Sequence, residues 1–326
     1  MINTSLIYNK KSVKLVNRKV YPKKNDVVIK VRSCGICGSD IKILNGNNKR
    51  VEAGRVIGHE ISGQICNIVS KKLVTSNQNI ILGADIPNKL NKDFALGHEI
   101  DGGFQRYLIV KRKLLSKIPH VKTNKKINFN IASLCEPLAC TLNGFEKINF
   151  KKGGDILIFG NGPMGNLIAS VGLYFKSKRI LIIDNNLKRM KFGVKSKYVK
   201  RLHIDKLKKQ KKLKNFKYGF IACNSTFAQN NILNYISNNG YVNYFSGVTY
   251  DQKFPLIDTN LIHYKELKVV GSHGSKKKHI LKAANLIINK KVQLKNIISN
   301  CFKLKNFIKA FDYAKKQKGL KIILNP

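Results

Sequence analysis

A glycine-rich segment that joins an apolar strand to a helix most constrains the fold of this chain. Residues 160–165 have the sequence Gly-Asn-Gly-Pro-Met-Gly, and the apolar run 155–159 comes directly before them. Apolar residues at helical spacing follow to Tyr174, and a second apolar run occupies residues 179–184. A strand, a glycine turn, a helix and a second strand form a βαβ unit, which predicts a parallel sheet in an α/β protein.

The same loop has the spacing of a dinucleotide-binding turn. Its first glycine permits the tight turn, its second lets the backbone approach a pyrophosphate, and its third lets the helix pack closely on the strand. A glycine turn that binds no ligand is the alternative interpretation. We expect five residues of the loop to contact the cofactor: Gly160, Gly162, Pro163, Met164 and Gly165.

An acidic residue at the end of the next strand indicates which dinucleotide binds. Asp184 lies 24 residues after Gly160. A carboxylate there accepts a hydrogen bond from the ribose 2′-hydroxyl and repels a 2′-phosphate, so we expect NAD as the cofactor. Arg189 follows closely and is also predicted to contact the cofactor, although a basic side chain can accommodate the phosphate of NADP.

The hydrophobic pattern divides the 326 residues into segments. Short β-branched runs before residue 120, including a predicted strand over 104–110, favour a small barrel or sandwich. Later segments alternate strands and helices, and we predict helices over 131–145 and 227–237. The change in period places domain boundaries near residues 137 and 274. We therefore expect a second domain over 138–274, between the segments 1–137 and 275–326.

Charge and cysteine content limit the classes of function. The net charge is +45, but nine of the 62 basic residues are arginine and the remaining 53 are lysine, spread along the chain. Specific nucleic-acid recognition favours arginine, so a solvated surface explains runs such as 206–217 better than a nucleic-acid site does. No apolar run is long enough to span a membrane. Seven irregularly spaced cysteines predict reduced thiols in the cytoplasm.

A second group of residues has the chemistry of a metal site. Cys37 lies between glycine-containing dipeptides, and His59 and Glu60 follow 22 residues later, after Gly58. Thiolate, imidazole and carboxylate groups bind Zn²⁺ in catalytic sites. Adjacent residues in a strand point to opposite faces, so both His59 and Glu60 can bind one ion only if the backbone turns at Gly58. Taken alone, the cysteine and the histidine could equally be buried structural residues.

The motifs in their order resemble the zinc-containing medium-chain alcohol dehydrogenases, especially the sorbitol (polyol) and threonine dehydrogenase branch. Those motifs are Cys-Gly-Ile-Cys-Gly-Ser-Asp at 34–40, Gly-His-Glu at 58–60, Glu-Pro-Leu-Ala at 136–139, the loop 160–165, Tyr-Lys-Glu-Leu-Lys-Val-Val-Gly-Ser at 264–272 and the segment 321–326. The resemblance covers essentially the whole chain. It implies a GroES-like β-barrel catalytic domain, to which residues 275–326 return, and a Rossmann domain with a doubly wound parallel sheet.

The resemblance also implies roles for individual residues. Zinc ligands would be Cys37, His59 and Glu60, with Glu136 binding directly or through water. Cys135 and Cys140 flank that glutamate and could be mistaken for a ligand. Asp40 would orient His59, and Ser39 would take the substrate proton. Lys42 stands where many relatives have a histidine that passes the proton to solvent, and as a catalytic residue it would serve this relay less well than histidine.

The chain departs from the family where relatives carry four cysteines for a structural zinc. No cysteine lies between Cys66 and Cys135, so we expect one catalytic zinc and no structural zinc. His98 and Glu99 repeat the Gly-His-Glu sequence without a second cysteine. We predict a zinc-dependent, NAD-linked dehydrogenase of a sugar alcohol, cyclitol or related polyol that forms a dimer or tetramer. Threonine oxidation, a zinc-free reductase of the same fold, and a basic nucleic-acid or membrane-surface protein are the alternatives.

Overall fold

The computed structural model describes residues 1–10, 12–46, 50–69, 72–86, 94–207, 213, 215–248 and 254–326. Two compact units divide the chain. The first consists of Met1–Ala139, Ser275–Lys290 and Ile298–Pro326, and the second consists of Cys140–Gly274 and Lys291–Ile297. Within the described residues, no helix combines the length and the hydrophobicity needed to cross a membrane.

The described residues form strands and helices that alternate along most of the chain. The strands are β1 (Ile2–Asn9), β2 (Ser12–Lys19), β3 (Asp26–Ile36), β4 (Glu60–Val69), β5 (Lys72–Leu82), β6 (Tyr107–Lys111), β7 (His120–Thr123), β8 (Ile156–Phe159), β9 (Ile180–Asp184), β10 (Val199–His203), β11 (Phe216–Ile221), β12 (Ile236–Tyr244), β13 (Lys268–Gly271), β14 (Ile298–Lys303) and β15 (Lys321–Asn325). The helices are α1 (Gly38–Leu44), α2 (Arg112–Leu115), α3 (Phe129–Ala132), α4 (Cys135–Lys147), α5 (Pro163–Tyr174), α6 (Ile204–Leu207), α7 (Thr226–Asn231), α8 (Thr259–Tyr264), α9 (Lys277–Ile288) and α10 (Phe307–Lys315).

The first unit is built on a sheet of mostly antiparallel strands. Its order is β14-β15-β3-β4-β5-β7, with β6 also paired to β3, and β1 and β2 form a separate antiparallel pair. One face packs a continuous apolar core that includes Leu6, Ile29, Ile61 and Leu324. The C-terminal strand β15 lies beside β3, which places residues from the two ends of the chain next to each other. This unit is the predicted GroES-like β-barrel domain.

The second unit contains a six-stranded parallel sheet. Its strand order is β10-β9-β8-β11-β12-β13, and each neighbouring pair is parallel. Counted from β8, this is the order 3-2-1-4-5-6 of the doubly wound dinucleotide-binding fold. The direction of winding reverses between β8 and β11, so ligands are expected at the carboxyl end of β8. The predicted α/β class and the Rossmann sheet are therefore confirmed.

Three predicted elements have different bounds in the structure. The helix expected over 131–145 is split into α3 and α4, and Ser133 ends the first of them by donating from Oγ to Asn130 O at 2.9 Å. The helix expected over 227–237 is α-helical only to Asn231 and continues as a 3-10 helix over Ile232–Tyr235, because the buried Ile236 opens strand β12. The strand expected over 104–110 begins only at Tyr107, because the buried Gln105 side chain donates to Gly102 O at 2.7 Å.

Two sequence predictions fall partly outside the described residues. The basic run 206–217 includes residues 208–212 and 214, and the shortened lobe after Ala84 includes residues 87–93. The structure therefore supports no statement about those positions.

Candidate functional site

The predicted metal-ligating residues Cys37, His59 and Glu60 come together in the first unit. One ligand atom from each of the three lies within 4.8 Å of the others. The turn expected at Gly58 is present: its φ of +91° lies in the left-handed region, and His59 follows just before strand β4 begins at Glu60. The phenyl ring of Phe104 would be only 2.8 Å from a Cβ at Gly58. Glycine at this position therefore lets two adjacent residues serve one site.

Asp40 links the cysteine to the histidine. Its Oδ2 accepts a hydrogen bond from Cys37 N at 2.8 Å at the start of α1, and its Oδ1 lies 3.7 Å from His59 Nδ1. Burial raises the pKa of Asp40, although His59 opposes this effect. Burial alone would lower the pKa of His59, but Asp40, Cys37 and Glu136 together raise it well above its usual value. The site therefore favours a positive charge at its centre, such as that of a metal ion.

A buried lysine from the C-terminal strand completes the surroundings of Glu60. Lys321 Nζ donates to Glu60 Oε1 at 2.5 Å and to Ile36 O at 3.2 Å, and both side chains are at most 3% exposed. Burial would lower the pKa of Lys321, but Glu60, Cys37 and Glu136 together outweigh that effect and raise it, so the ammonium group stays charged. The ion pair holds one oxygen of Glu60 and leaves the other for a different partner.

The donor set fits zinc. Sulfur, nitrogen and oxygen ligands in one group are typical of catalytic zinc. Glu60 Oε2 is buried and has no hydrogen-bond partner among the described residues, and the same holds for Ser39 Oγ, Asp40 Oδ1 and His59 Nδ1. Buried polar atoms without partners are costly and call for a physical explanation. A cation bound by Glu60 beside Cys37 would satisfy the carboxylate oxygen.

Glu136 and Cys135, the next candidates for metal binding, both lie in the first turn of α4. Glu136 is 8% exposed. It is outside the three-residue group, but its charge raises the pKa of His59. Cys135 donates from Sγ to Ile280 O at 3.7 Å, and burial raises the pKa of its thiol far above the usual value. A thiol that stays protonated is a poor metal ligand, which favours Glu136 over Cys135.

Ser39 and Lys42 lie on the same short helix. Ser39 Oγ is buried at the start of α1, whereas Lys42 is exposed near its end. A side chain in water can exchange protons with solvent. The structure thus buries the hydroxyl of Ser39 two residues after Cys37 and leaves Lys42 at the surface.

The dinucleotide loop in the second unit follows β8 and leads into α5. Gly160 has a φ of +110°, and a Cβ on Gly165 would overlap the carbonyl oxygen of Gly160. Gly162 precedes the first helical residue, Pro163, whose missing N–H costs nothing at that position. Met164 follows in the first turn of α5. The loop has the close backbone packing that the glycine spacing predicts.

Asp184 and Arg189 both lie beside this loop. Asp184 Oδ2 accepts from Asn161 N at 2.6 Å, and Oδ1 accepts from Asn186 N at 2.7 Å. These two bonds fix the carboxylate at the end of β9. The guanidinium of Arg189 passes near Gly162, since its Nη2 would lie 3.5 Å from a Cβ built there. Both the acidic and the basic candidate therefore belong to the same site.

Several residues that support the two sites were missed by sequence reasoning. In the second unit, Arg201 donates from Nε to Asn161 Oδ1 and from Nη2 to Asn166 Oδ1, both at 2.9 Å. Both asparagines are fully buried, Asn161 in the loop and Asn166 near the start of α5. In the first unit, Lys321 and His98 contact predicted ligands. His98 was visible in the repeated Gly-His-Glu sequence and Lys321 only as part of the motif 321–326, whereas nothing in the sequence indicated Arg201.

Comparison with known proteins shows what this chain is similar to. Residues 23–120 match the alcohol dehydrogenase GroES-like domain. The sorbitol dehydrogenase of Halalkalibacterium halodurans is 27% identical over 326 aligned residues, which cover 94% of this chain and 93% of the relative. The L-threonine 3-dehydrogenase of Coxiella burnetii is 26% identical and covers 93% of each chain. The chain is thus similar over nearly its whole length to zinc-type alcohol dehydrogenases.

Solved structures agree with this fold. The 2R,3R-butanediol dehydrogenase of Bacillus subtilis superposes with a TM-score of 0.84 over 99% of both chains, at 19% sequence identity. At this identity the likeness concerns the fold alone. The resemblance stated from the sequence motifs is confirmed, since the relatives that match nearly the whole chain are enzymes of the alcohol dehydrogenase class.

Proposed function

We propose that this protein is a zinc-type alcohol dehydrogenase that oxidises a secondary alcohol of a sugar alcohol, cyclitol or related polyol, with one zinc ion and NAD. The group of Cys37, His59 and Glu60, with Glu60 Oε2 buried and unpaired among the described residues, carries the proposal. Two acidic residues, Glu60 and Glu136, make the site more acidic than one built from cysteine and histidine alone. Such a site suits substrates that carry several hydroxyl or amino groups.

In the proposed reaction, each residue has a limited role. Cys37, His59 and Glu60 would hold the zinc, with Glu136 as a further ligand, directly or through water. When bound, zinc supplies a Lewis acid that lowers the pKa of the alcohol hydroxyl. Asp40 would keep His59 in orientation. The Ser39 hydroxyl, which has no partner among the described residues, would accept the substrate proton while it passes its own proton outward. When bound, NAD would supply the acceptor for the hydride that the carbinol carbon loses.

The main alternative is oxidation of an amino alcohol such as threonine, because threonine dehydrogenases are among the relatives. The cytoplasm is the proposed location, since all seven cysteines are free thiols. The deciding experiment measures NADH formation by the purified protein on polyols, cyclitols and threonine, with metal analysis before and after chelation. We expect one zinc per chain, highest kcat/KM on a polyol, and loss of activity with chelator.

Two results would contradict the proposal. Higher kcat/KM on threonine than on any polyol would favour the amino-alcohol alternative. Protein that contains no zinc and whose reductase activity is insensitive to chelator would favour a zinc-free enzyme of the same fold.

The preference for NAD depends on the charge of Asp184. We expect Asp184→Asn to lower the ratio of kcat/KM with NAD to kcat/KM with NADP by about tenfold, because the neutral amide no longer repels the 2′-phosphate. The amide oxygen retains one acceptor for the backbone N–H groups of Asn161 and Asn186. Asp205→Asn is the matched control, because the Asp205 side chain is 84% exposed. An unchanged ratio in Asp184→Asn would contradict the assignment.

A further inference from the structure

Asn161, the second residue of the dinucleotide loop, is fully buried and hydrogen-bonded through each of its polar side-chain atoms. Its backbone N donates to Asp184 Oδ2 at 2.6 Å, and its Nδ2 donates to Arg189 O at 2.7 Å. Its Oδ1 accepts from Arg201 Nε at 2.9 Å and from Asn166 Nδ2 at 3.1 Å. This one residue therefore connects the loop to both residues predicted to contact the cofactor and to an arginine on β10.

Asn166, near the start of α5, holds two carbonyl groups of the loop. Its Nδ2 donates to Asn161 O at 3.1 Å and to Gly162 O at 3.0 Å. Its Oδ1 accepts from Arg201 Nη2 at 2.9 Å and from Val194 N at 3.0 Å. Because Asn166 is fully buried, both carbonyl groups are turned toward the protein interior. A phosphate at the loop would therefore meet N–H groups rather than these carbonyl oxygens, which would repel it.

The segment that connects β9 to β10 closes around the same arginine. Arg201 Nη2 also donates to Val194 O at 2.9 Å. Gly193 has a φ of +109°, and a Cβ there would overlap Asn166 Oδ1 and lie 2.7 Å from Arg201 Nη2. Glycine therefore permits the close approach of this segment. The guanidinium is held both by the asparagines of the loop and helix and by the connection to β10.

The charge of Arg201 has no acidic partner within the part of the chain that the structure describes. Its three hydrogen bonds to described residues all go to neutral oxygen atoms. Burial lowers the pKa of Arg201 and no carboxylate opposes this effect, whereas Asp184 opposes it for Arg189. The guanidinium nevertheless stays charged at neutral pH. A fixed cation without a counter-ion, beside a loop whose spacing predicts a pyrophosphate site, indicates that the ligand supplies the counter-ion.

We propose that Arg201 is a positioning residue for the dinucleotide. Through Asn161 and Asn166 it holds the loop with its carbonyl groups turned inward, and its uncompensated charge favours binding of the pyrophosphate. The inference rests on the proposed function and deepens it, because it names a residue outside the loop on which cofactor binding depends. Such a residue acts on ligands that carry phosphate and leaves an adenosine without phosphate nearly unaffected.

The test measures the affinity of the zinc-loaded full-length protein for NADH, ADP and adenosine by calorimetric titration, so it needs no turnover. We expect Arg201→Gln to weaken binding of NADH and ADP by about tenfold, because the charge is lost. Adenosine should weaken by less than about twofold, because the new amide can still donate to Asn161 Oδ1 and keep the loop in place. Arg201→Lys keeps the charge, so it should weaken ADP binding by less than about threefold.

Arg179→Gln is the matched control. Arg179 lies just before β9, at the amino end of the same sheet, and pairs with Asp155 at 3.1 Å. Its affinity for all three ligands should equal that of the wild type, even if its unfolding temperature falls. This control separates a general loss of stability in the second unit from an effect on the loop.

Several results would overturn the inference. Equal weakening of ADP and adenosine in Arg201→Gln would mean a structural role only, and unchanged affinity for ADP and NADH would mean that the charge is not used. If Arg201→Gln does not fold, Arg201→Lys decides: ADP affinity within threefold of the wild type supports the inference, and a larger loss overturns it. A wild type that binds neither NADH nor ADP would overturn the proposed function as well.

Discussion

Replacing Lys321 with methionine is expected to lower the free energy of unfolding of the metal-free protein by about 3–5 kcal/mol. The substitution removes the only charge that contacts Glu60 Oε1 among the described residues and leaves a fully buried carboxylate without a partner. Methionine has a similar length, so the loss of packing should be small. Denaturant titration of chelator-treated protein measures the effect.

Two further variants separate the ion pair from general damage. Lys316→Met removes an exposed lysine paired with Asp312 at 2.9 Å, and it should change stability by about 0.5 kcal/mol or less. The double variant Glu60→Gln with Lys321→Met should recover part of the loss, because no buried charge remains. If Lys321→Met cost less than about 1 kcal/mol, the carboxylate would have to be neutral or solvated in the folded protein.

Removal of the candidate thiolate ligand should have the largest effect on activity. We expect Cys37→Ala to reduce zinc from one per chain to nearly none and to lower kcat/KM by about 1,000-fold or more, because the Lewis acid contributes several kcal/mol. Thiolate binding accounts for much of the affinity of such a site. Metal analysis and steady-state kinetics on the best alcohol measure both effects.

Cys301→Ala is the matched control, since Cys301 is exposed and lies outside the metal-ligating group. Its zinc content and kcat/KM should match those of the wild type. Full zinc occupancy in Cys37→Ala would place the metal elsewhere. Loss of activity with full zinc retained would point to a different role for the thiol.

The sequence predicts those parts of the molecule that depend on neighbouring residues. The strand, glycine loop and helix at 155–174 were recognisable because residue period and glycine spacing are local properties. The hydrogen bond from Cys37 N to Asp40 is also local, because Cys37 caps the helix and Asp40 lies in its first turn. The helix expected over 227–237 was too long, because burial of Ile236 in the core overrides local helical spacing.

Contacts between distant segments were not predictable from one sequence. Lys321 was visible only as part of a family motif, and nothing near it in sequence indicates a carboxylate 261 residues away. The repeat of Gly-His-Glu at 97–99 was visible, but only the fold shows that the two copies touch. Arg201 was one basic residue among 62. It lies in β10, and its contacts with the cofactor loop depend on how β10 pairs with β9. Tertiary pairing, rather than local preference, decides each of these cases.

The pairing of Glu60 with Lys321 sets an order of events during translation. The two residues are separated by 261 positions, and the whole of Cys140–Gly274 is synthesised between them. At roughly 5–20 residues per second, Glu60 leaves the ribosome about 13–50 s before its partner. During that interval the nascent first unit lacks β15 and cannot bury Glu60 as a paired carboxylate. The second unit has nearly all of its chain by then, so it can fold while the metal-binding unit is still incomplete.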